Sequence, residues 1–209
     1  MKITTLALLT LLLAVGTAAS QESGSDEAQT GSSESPATGS DAKPTTTAPA
    51  TIDGEPPELR KLAGSYTLVG NQADSLAKIH TAIDQATAGM GSLKKKVARK
   101  RLENVNKAVV RLKISSVGKK VTIGMDNYVV TAPLDGGTAE VVTPAGDKAT
   151  ASFSLQHAAL IQDIVAAHGR RENIFRFGSN GELLMHVRET SPQLSDKVLY
   201  TLVYKRAGQ

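Results

Sequence analysis

Short runs of apolar and β-branched residues alternate with turn residues over the C-terminal half of the chain. Runs of this length, bounded by Gly, Asn and Asp, are typical of β-strands joined by tight turns. The predicted strands are 109–114, 120–125, 128–132, 138–143, 148–155, 159–166, 173–177, 183–189 and 198–206. Residues 157–167 also fit a short helix, because several of their aliphatic side chains recur at helical spacing.

The segment before these strands has a different pattern. Residues 64–70 form a further predicted strand, and after it comes a stripe of apolar residues at helical spacing, Leu76, Ile79, Ile83 and Ala86. A second helix is expected after the glycine-containing break at 89–91, with Ser92 as its N-cap. The side chains on the inward side of this second helix would be Leu93, Val97 and Leu102. The pattern therefore predicts a mainly β fold of ten strands, either a meander barrel or a sandwich, with a helix-turn-helix inserted after the first strand.

Residues 1–20 have the features of a secretory signal peptide. Lys2 precedes an apolar stretch over residues 3–15, and small residues suited to a signal peptidase follow at 16–20. The stretch is shorter than the roughly 20 apolar residues that span a bilayer. We expect a periplasmic or secreted protein whose signal peptide is cleaved near residues 19–20, and an uncleaved anchor is the alternative. The chain contains no cysteine, which excludes a lipoprotein anchor.

Residues 21–57 consist almost entirely of Ser, Thr, Ala, Gly, Pro, Asp and Glu. Such a segment buries too little apolar surface to offset the entropy of ordering it, so it predicts a disordered linker. One β-barrel domain is expected over residues 58–209. Without disulfides, this domain depends on burial alone, which a chain of about 150 residues can supply.

Charge is distributed unevenly between linker and domain. Two of the 24 basic and seven of the 20 acidic residues precede residue 58, so the domain carries 22 basic and 13 acidic residues, a formal charge of +9. This balance favours anionic partners. A monomer is expected.

The order of elements resembles the intracellular fatty-acid-binding proteins, within the calycin group that includes the lipocalins. Gly64-Ser65-Tyr66 stands where calycins carry Gly-x-Trp on their first strand, and 89–97 resembles the inter-helix turn and second helix of that family. Residues 176–184 resemble its arginine-bearing strand and hairpin, and 199–206 its closing strand. The resemblance covers nearly all of residues 62–206 and implies a ten-stranded antiparallel meander barrel. Intracellular family members lack signal peptides and long linkers, so residues 1–57 depart from it.

The resemblance also implies a ligand site. Family members hold a fatty acid or similar apolar molecule inside the barrel and bind its carboxylate through two arginines and a tyrosine on late strands. Arg176 matches the first arginine and Tyr204 the tyrosine, whereas Leu202 replaces the second arginine. Arg206 or Arg188 would compensate for the missing arginine if its side chain points into the barrel. Strand alternation adds two further candidate ligand contacts, Tyr200 and His186.

These same residues have a structural alternative. In calycins a basic residue of the last strand packs over the first-strand aromatic, here Tyr66, and Lys205 or Arg206 is placed to do so by a cation–π contact. His186 alternates with Leu184 and Arg188, so it faces the interior or is an ordinary polar residue of the strand.

The second predicted helix is strongly basic. Six positive charges fall within eight positions, namely Lys94, Lys95, Lys96, Arg99, Lys100 and Arg101. Such a helix attracts an anionic membrane surface, and the alternative is a solvated helix face. Nucleic acid is not expected as a partner, because an exported domain with three Phe, four Tyr and no Trp has few rings to stack on bases.

No enzyme is predicted. The four histidines are scattered without metal-ligand spacing, and the sequence contains no Gly-x-Ser-x-Gly motif and no phosphate-binding loop. We therefore expect no metal and no cofactor. The primary hypothesis is an exported carrier of a hydrophobic or amphipathic small molecule of the lipid class. The alternative is a filled, ligand-free barrel that acts as a structural or adaptor protein and docks on anionic envelope surfaces through its basic helix.

Overall fold

The computed structural model describes residues 55–208, so the predicted signal peptide and nearly all of the predicted linker lie outside the described residues. The three helices in this part of the chain are α1 (Pro57–Leu62), α2 (Gln72–Ala86) and α3 (Ser92–Val105). The strands are β1 (Gly64–Leu68), β2 (Arg111–Val117), β3 (Lys120–Met125), β4 (Tyr128–Pro133), β5 (Ala139–Val142), β6 (Lys148–Gln156), β7 (Ala159–Ala166), β8 (Gly169–Phe177), β9 (Leu183–Thr190) and β10 (Val198–Arg206).

The ten strands form one antiparallel sheet in the order β4-β3-β2-β1-β10-β9-β8-β7-β6-β5. Its two edges meet, because β4 lies against β5 and β6 and nearly closes the sheet into a barrel. The predicted meander barrel with a helix pair after the first strand is confirmed. Residues 157–167 contain strand β7 and no helix, since β7 pairs along its length with β6 and β8.

Strand alternation builds the core of the barrel. On β3, Val121, Ile123 and Met125 are buried and alternate with more exposed residues. Side chains on one face of a strand recur every second residue, so one face of each strand supplies the interior. Burying one aliphatic side chain of this size contributes about 1.5–3 kcal/mol, which is how the domain folds without disulfides.

Helix α1 was not predicted. It begins at Pro57, the last residue of the predicted linker, and proline suits the first turn of a helix because that turn leaves its N–H groups unpaired. Leu59 and Leu62 are fully buried, and α1 packs against β7 and β8. Six residues are too few to show a helical period, so only the packing identifies this helix.

Tyr66 and Arg206 lie at the same end of the barrel as α1. The Tyr66 hydroxyl donates to the Leu62 carbonyl at 2.7 Å, and the Arg206 guanidinium lies 5.2 Å from the centre of the Tyr66 ring. Gly64 has a φ of +152°, and a Cβ there would meet Arg206 Nη1 at 2.6 Å. Glycine at this position therefore leaves room for the arginine that covers the ring.

Helix α2 begins after Asn71, whose side chain accepts from the backbone N–H of Asp74 at 2.7 Å and caps the helix. The predicted apolar stripe is confirmed, with Ile79, Ile83 and Ala86 fully buried. Helix α2 packs against β10. The Ser195 hydroxyl donates to the Ala86 carbonyl at 2.7 Å, which joins the end of α2 to the β9–β10 loop.

Helix α3 differs from its prediction in two respects. Its N-cap is Gly91, without a side-chain hydrogen bond, and Ser92 is the first helical residue. Leu93 and Val97 are 77% and 64% exposed, so of the three predicted inward residues only Leu102 is buried. Because Leu102 belongs to the last turns, the helix packs through its C-terminal part and its first turns remain in solvent.

Candidate binding site inside the barrel

A group of polar side chains lies inside the otherwise apolar barrel, near the end covered by α2 and α3. On β8, Arg171 and Asn173 share the inward face with the fully buried Phe175. Arg171 pairs across the sheet with Glu189 of β9, and Asn173 pairs with Gln162 of β7. Together with residues from the C-cap of α3, β10 and β4, they form what we call the interior polar cluster: Asn106, Tyr128, Gln162, Arg171, Asn173, Glu189 and Tyr200.

Arg171 is the centre of this cluster. Its Nε donates to Asn173 Oδ1 at 3.0 Å, its Nη1 to Asn106 Oδ1 at 2.8 Å and its Nη2 to the Tyr200 hydroxyl at 3.0 Å. Burial acts to lower the pKa of Arg171, but Tyr200 and Glu189 outweigh it, and the pKa lies above its ordinary value. The guanidinium is therefore charged inside the barrel.

Glu189 balances the charge of Arg171. One of its oxygens lies 3.7 Å from Arg171 Nη1, and the two side chains are only 18% and 19% exposed. The same oxygen accepts from Asn106 Nδ2 at 2.8 Å. Removing one partner of such a buried pair costs about 3–5 kcal/mol, since the remaining charge is left without compensation.

Two polar atoms of the cluster have no hydrogen-bond partner among the described residues, although both are shielded from solvent. They are the Tyr128 hydroxyl and Gln162 Nε2. A buried polar group without a partner costs about 1–3 kcal/mol, and native proteins contain few of them, so each one requires an explanation. These atoms are the ones in the cluster that are free to bind a further molecule.

The neighbouring wall of the barrel is lined by small side chains. Strands β4 and β6, next to the point where the barrel closes, present the buried residues Ala132, Ala149 and Ala151 to the interior. Thr131 and Thr150 alternate with them and are exposed. The polar cluster thus adjoins an apolar surface, and apolar lining with a few polar groups is the usual composition of a small-molecule site.

Among the predicted ligand residues, Tyr200 belongs to the interior polar cluster. Its hydroxyl donates to Asn106 Oδ1 at 3.0 Å. Tyr204 and Leu202 are buried on the same face of β10, as the alternation predicts, and the Tyr204 hydroxyl donates to the Val109 carbonyl at 3.0 Å. Burial raises the pKa of Tyr204, with Tyr200 and Asp126 acting in the same direction. Because the Tyr204 hydroxyl donates its proton to the backbone, it has no further proton to donate to a ligand.

Arg176, His186 and Arg188 lie on the outer face of the barrel. Arg176 Nε donates to His186 Nε2 at 3.1 Å, and Arg188 pairs with Glu172 at 3.3 Å. Burial lowers the pKa of His186, and the nearby Arg176 charge lowers it further. The barrel therefore does not bring these three side chains together with Tyr200. Each of them points outward, because it alternates along its strand with the buried residues that point inward. Arg171, which the sequence analysis did not select, is the inward arginine of β8.

Arg206 packs over the Tyr66 ring, as the structural alternative for this residue predicts. Besides covering the Tyr66 ring, its Nη1 donates to the Ala63 carbonyl at 3.0 Å and its Nη2 to the Lys61 carbonyl at 2.9 Å. The guanidinium thus joins the last strand to the segment between α1 and β1. This end of the barrel is the one opposite the interior polar cluster.

The basic residues of α3 divide into two groups. Arg99 pairs with Glu103 and Asp84, and Arg101 pairs with Asp147 of the β5–β6 turn at 2.9 Å. The other four have no carboxylate partner within residues 55–208, and they are Lys94, Lys95, Lys96 and Lys100. On a helical projection, Leu93 and Val97 lie on one face with Lys96 and Lys100 beside them. We call Leu93, Lys94, Lys96, Val97 and Lys100 the exposed α3 face.

A groove of about 490 Å³ also runs along the outside of β10, beside α2. It is lined by Lys78, Thr81, Ala82, Gln85, Leu199, Tyr200, Thr201 and Val203. The groove is open to solvent, in contrast to the interior polar cluster.

Two further features are absent from residues 55–208. No three His, Asp or Glu side chains in this range lie close enough together to hold a metal ion. None of the helices in this range has the length and apolar composition of a membrane-spanning helix.

Comparison with known proteins found no matching family model and no matching curated protein. Among solved structures, wild-type fluorescent protein UnaG is 18% identical, covers 71% of this chain and 99% of its own, and superposes with a TM-score of 0.48. The REP1-NXSQ fatty acid transporter is 18% identical over 72% of this chain and 98% of its own, with a TM-score of 0.43. Apo lipid binding protein 8 of Caenorhabditis elegans is 13% identical over 70% and 96%, with a TM-score of 0.45.

Proposed function

We propose that this chain is an exported, monomeric binding protein that holds a hydrophobic or amphipathic small molecule of the lipid class inside its barrel. The observation that carries the proposal is the presence, inside a largely apolar barrel, of two buried donors that have no hydrogen-bond partner within residues 55–208, the Tyr128 hydroxyl and Gln162 Nε2. A bound molecule that supplies an acceptor would satisfy either group. Export is proposed from the targeting features of residues 1–20.

The alternative function is a filled barrel that binds no ligand. It predicts that the interior is completed by the side chains of the protein and that its polar groups are mutually satisfied, as buried polar networks normally are. The buried donors of Tyr128 and Gln162 favour the carrier over this alternative. The small residues Ala132, Ala149 and Ala151 favour it as well, since larger side chains would fill the interior better.

We further propose that the carrier exchanges its ligand at anionic membrane surfaces through the exposed α3 face. Leu93 and Val97 expose apolar side chains in a ring of lysines, and an apolar stripe with flanking basic residues is the pattern of interfacial helices. Each lysine near an anionic lipid surface contributes about 1 kcal/mol. Helix α3 also covers the end of the barrel where the interior polar cluster lies, so docking would place that end at the lipid.

Probe transfer from vesicles tests both parts of this proposal. A pyrene-labelled fatty-acid methyl ester is loaded into phosphatidylcholine vesicles with or without phosphatidylglycerol, and loss of excimer fluorescence reports its transfer to the protein. We expect transfer from both vesicles, faster from the anionic ones and slowed by salt. The variant Leu93→Ser with Val97→Ser should slow transfer from anionic vesicles and leave the final amount bound unchanged.

The matched control is Val117→Ser with Val129→Ser, which removes exposed valines from the strands. It should change neither the rate of transfer nor the final amount of probe bound. If neither this probe nor the corresponding pyrene-labelled free fatty acid moves to the protein from either vesicle, the carrier proposal is wrong. If transfer occurs at the same rate from both vesicles, the protein binds the probe but the docking proposal is wrong.

A further inference from the structure

The interior polar cluster is electrically balanced before any ligand binds. Arg171 and Glu189 lie directly opposite each other on β8 and β9, with 3.7 Å between Nη1 and Oε2. Both side chains are largely buried, so each charge acts mainly on the other. A ligand carboxylate entering the barrel would meet Glu189 as well as Arg171, and like charges that share one site oppose each other's ionised form.

The hydrogen-bonding capacity of Arg171 is also largely used. All three of its nitrogens donate to acceptors of the protein, on Asn173, Asn106 and Tyr200. Binding of a carboxylate by an arginine normally uses two parallel N–H donors of the guanidinium. Here that arrangement would require the protein to give up bonds it already makes.

The free donors of the cluster are uncharged. Arg171 Nε can only donate, so Asn173 presents Oδ1 to it and turns its Nδ2 towards Gln162. The Gln162 Oε1 accepts that bond at 2.6 Å, which leaves the Gln162 amide nitrogen as a free donor. The orientation of the Gln162 amide therefore follows from the chain of bonds that begins at Arg171.

Tyr128 supplies the second free donor. Burial raises the pKa of Tyr128 and the Arg171 charge lowers it to a smaller extent, so the hydroxyl keeps its proton at neutral pH. Tyr128 begins β4 directly after the turn that contains Asp126, and the Asp126 carboxylate accepts from the backbone N–H groups of Val110 and Arg111. This end of β4 therefore lies beside the segment that follows α3 and Asn106. Gln162 is linked to that region through Asn173.

We infer that the barrel selects apolar molecules that end in a neutral acceptor, such as an ester or ketone carbonyl, which accepts from Gln162 Nε2 or the Tyr128 hydroxyl, over the corresponding free carboxylates. This inference rests on the proposed carrier function and specifies its ligand class. It departs from the carboxylate ligand that the family resemblance implies. Neutral donors satisfied by a neutral acceptor leave the Arg171–Glu189 pair intact.

Competition between an ester and its acid tests the inference. Methyl oleate and oleate displace the pyrene-labelled ester from the purified protein at neutral pH, and the two competitors differ only at the polar end. We expect methyl oleate to displace the probe at a concentration about tenfold lower, which corresponds to about 1.4 kcal/mol. The variants Gln162→Met and Tyr128→Phe should each reduce this advantage, whereas Gln156→Met, an exposed glutamine of β6, should preserve it.

A second variant reverses the selectivity. Glu189→Gln removes the carboxylate that balances Arg171, so oleate should gain affinity and methyl oleate should not. If this variant does not fold, Gln162→Met and Tyr128→Phe still decide the question. Tighter binding of oleate than of methyl oleate to the natural protein would overturn the inference and leave the carrier function standing, whereas failure of the protein to bind the probe, methyl oleate and oleate alike would overturn the carrier function.

Discussion

Replacement of Arg171 with methionine is expected to lower the free energy of unfolding by about 3–5 kcal/mol, because it leaves the Glu189 carboxylate buried without its partner. The loss includes the bonds from the guanidinium to Asn173, Asn106 and Tyr200. Urea denaturation followed by circular dichroism measures the change. A total stability of 5–15 kcal/mol is usual for a domain, so this variant is expected to be near the limit of folding.

The double variant Arg171→Met with Glu189→Leu should recover much of the lost stability, since replacing both members of a buried ion pair by apolar residues is often neutral. The matched control is Arg188→Met. Arg188 pairs with Glu172 on the outer face and is 48% exposed, so its loss should cost about 0–1 kcal/mol. A similar small cost for Arg171→Met would contradict the central position given to this residue.

Tyr66→Ala should destabilise the domain by about 3–5 kcal/mol, the usual cost of truncating a buried aromatic residue. Tyr66 is 2% exposed, and its ring is the surface against which Arg206 packs. Tyr66→Phe keeps the ring and removes the hydroxyl, which donates to the Leu62 carbonyl and accepts from Arg206 Nη2 at 3.2 Å, so it should cost about 1–2 kcal/mol. The same urea denaturation measures both variants.

Tyr128→Phe is the control for removal of the Tyr66 hydroxyl. Because the Tyr128 hydroxyl has no hydrogen-bond partner among the described residues, its removal should leave the ligand-free protein as stable as before or slightly more stable. Equal losses for Tyr66→Phe and Tyr128→Phe would show that the two hydroxyls are equally satisfied, contrary to the hydrogen bonding described here.

Most of the barrel could be predicted because strands leave a local signal. Alternation of apolar residues and the turn residues between runs marked every strand of the meander, and for β3, β7 and β10 the predicted limits agree with the structure. The helical alternative for residues 157–167 could not be decided locally. It is decided by pairing with β6 and β8, which is a property of the whole sheet.

The helices show where local pattern is insufficient. Helix α1 is too short to show a helical period in the sequence. Its two buried leucines are recognised as core residues only from the contact of the helix with β7 and β8. In α3 the spacing of Leu93, Val97 and Leu102 suggested one inward face. Leu93 and Leu102 in fact lie on opposite sides of a helix at 100° per residue, and the structure exposes the first and buries the second.

The candidate site contains one of the predicted ligand residues, Tyr200. Arg176 was predicted because it matches the first arginine of the resembled family, and the predicted strand 173–177 began after Arg171, so Arg171 was not considered. Strand β8 begins at Gly169, directly after the turn signal His168-Gly169. Alternation from the buried Phe175 then places Arg171 inside and Arg176 outside, so the signal was present in the sequence.

The remaining members of the interior polar cluster could not be found from the sequence. Asn106 follows a helix, Glu189 ends a strand and Gln162 lies in the middle of another. They meet because of cross-strand register, which pairs Arg171 with Glu189 and Asn173 with Gln162. Register depends on turn geometry and on the closing of the barrel, and an isolated polar residue on an inward face does not reveal its partner.

Native mass spectrometry of the protein purified from the cell that makes it tests the carrier proposal most directly. We expect a monomer that lacks the first residues up to about position 20 and carries an additional mass, released by organic solvent and identified as an apolar molecule with a neutral carbonyl end. Gln162→Met prepared in the same way should retain less of that mass than Gln156→Met. A protein that carries no additional mass, and takes up neither methyl oleate nor oleate when they are supplied, would contradict it.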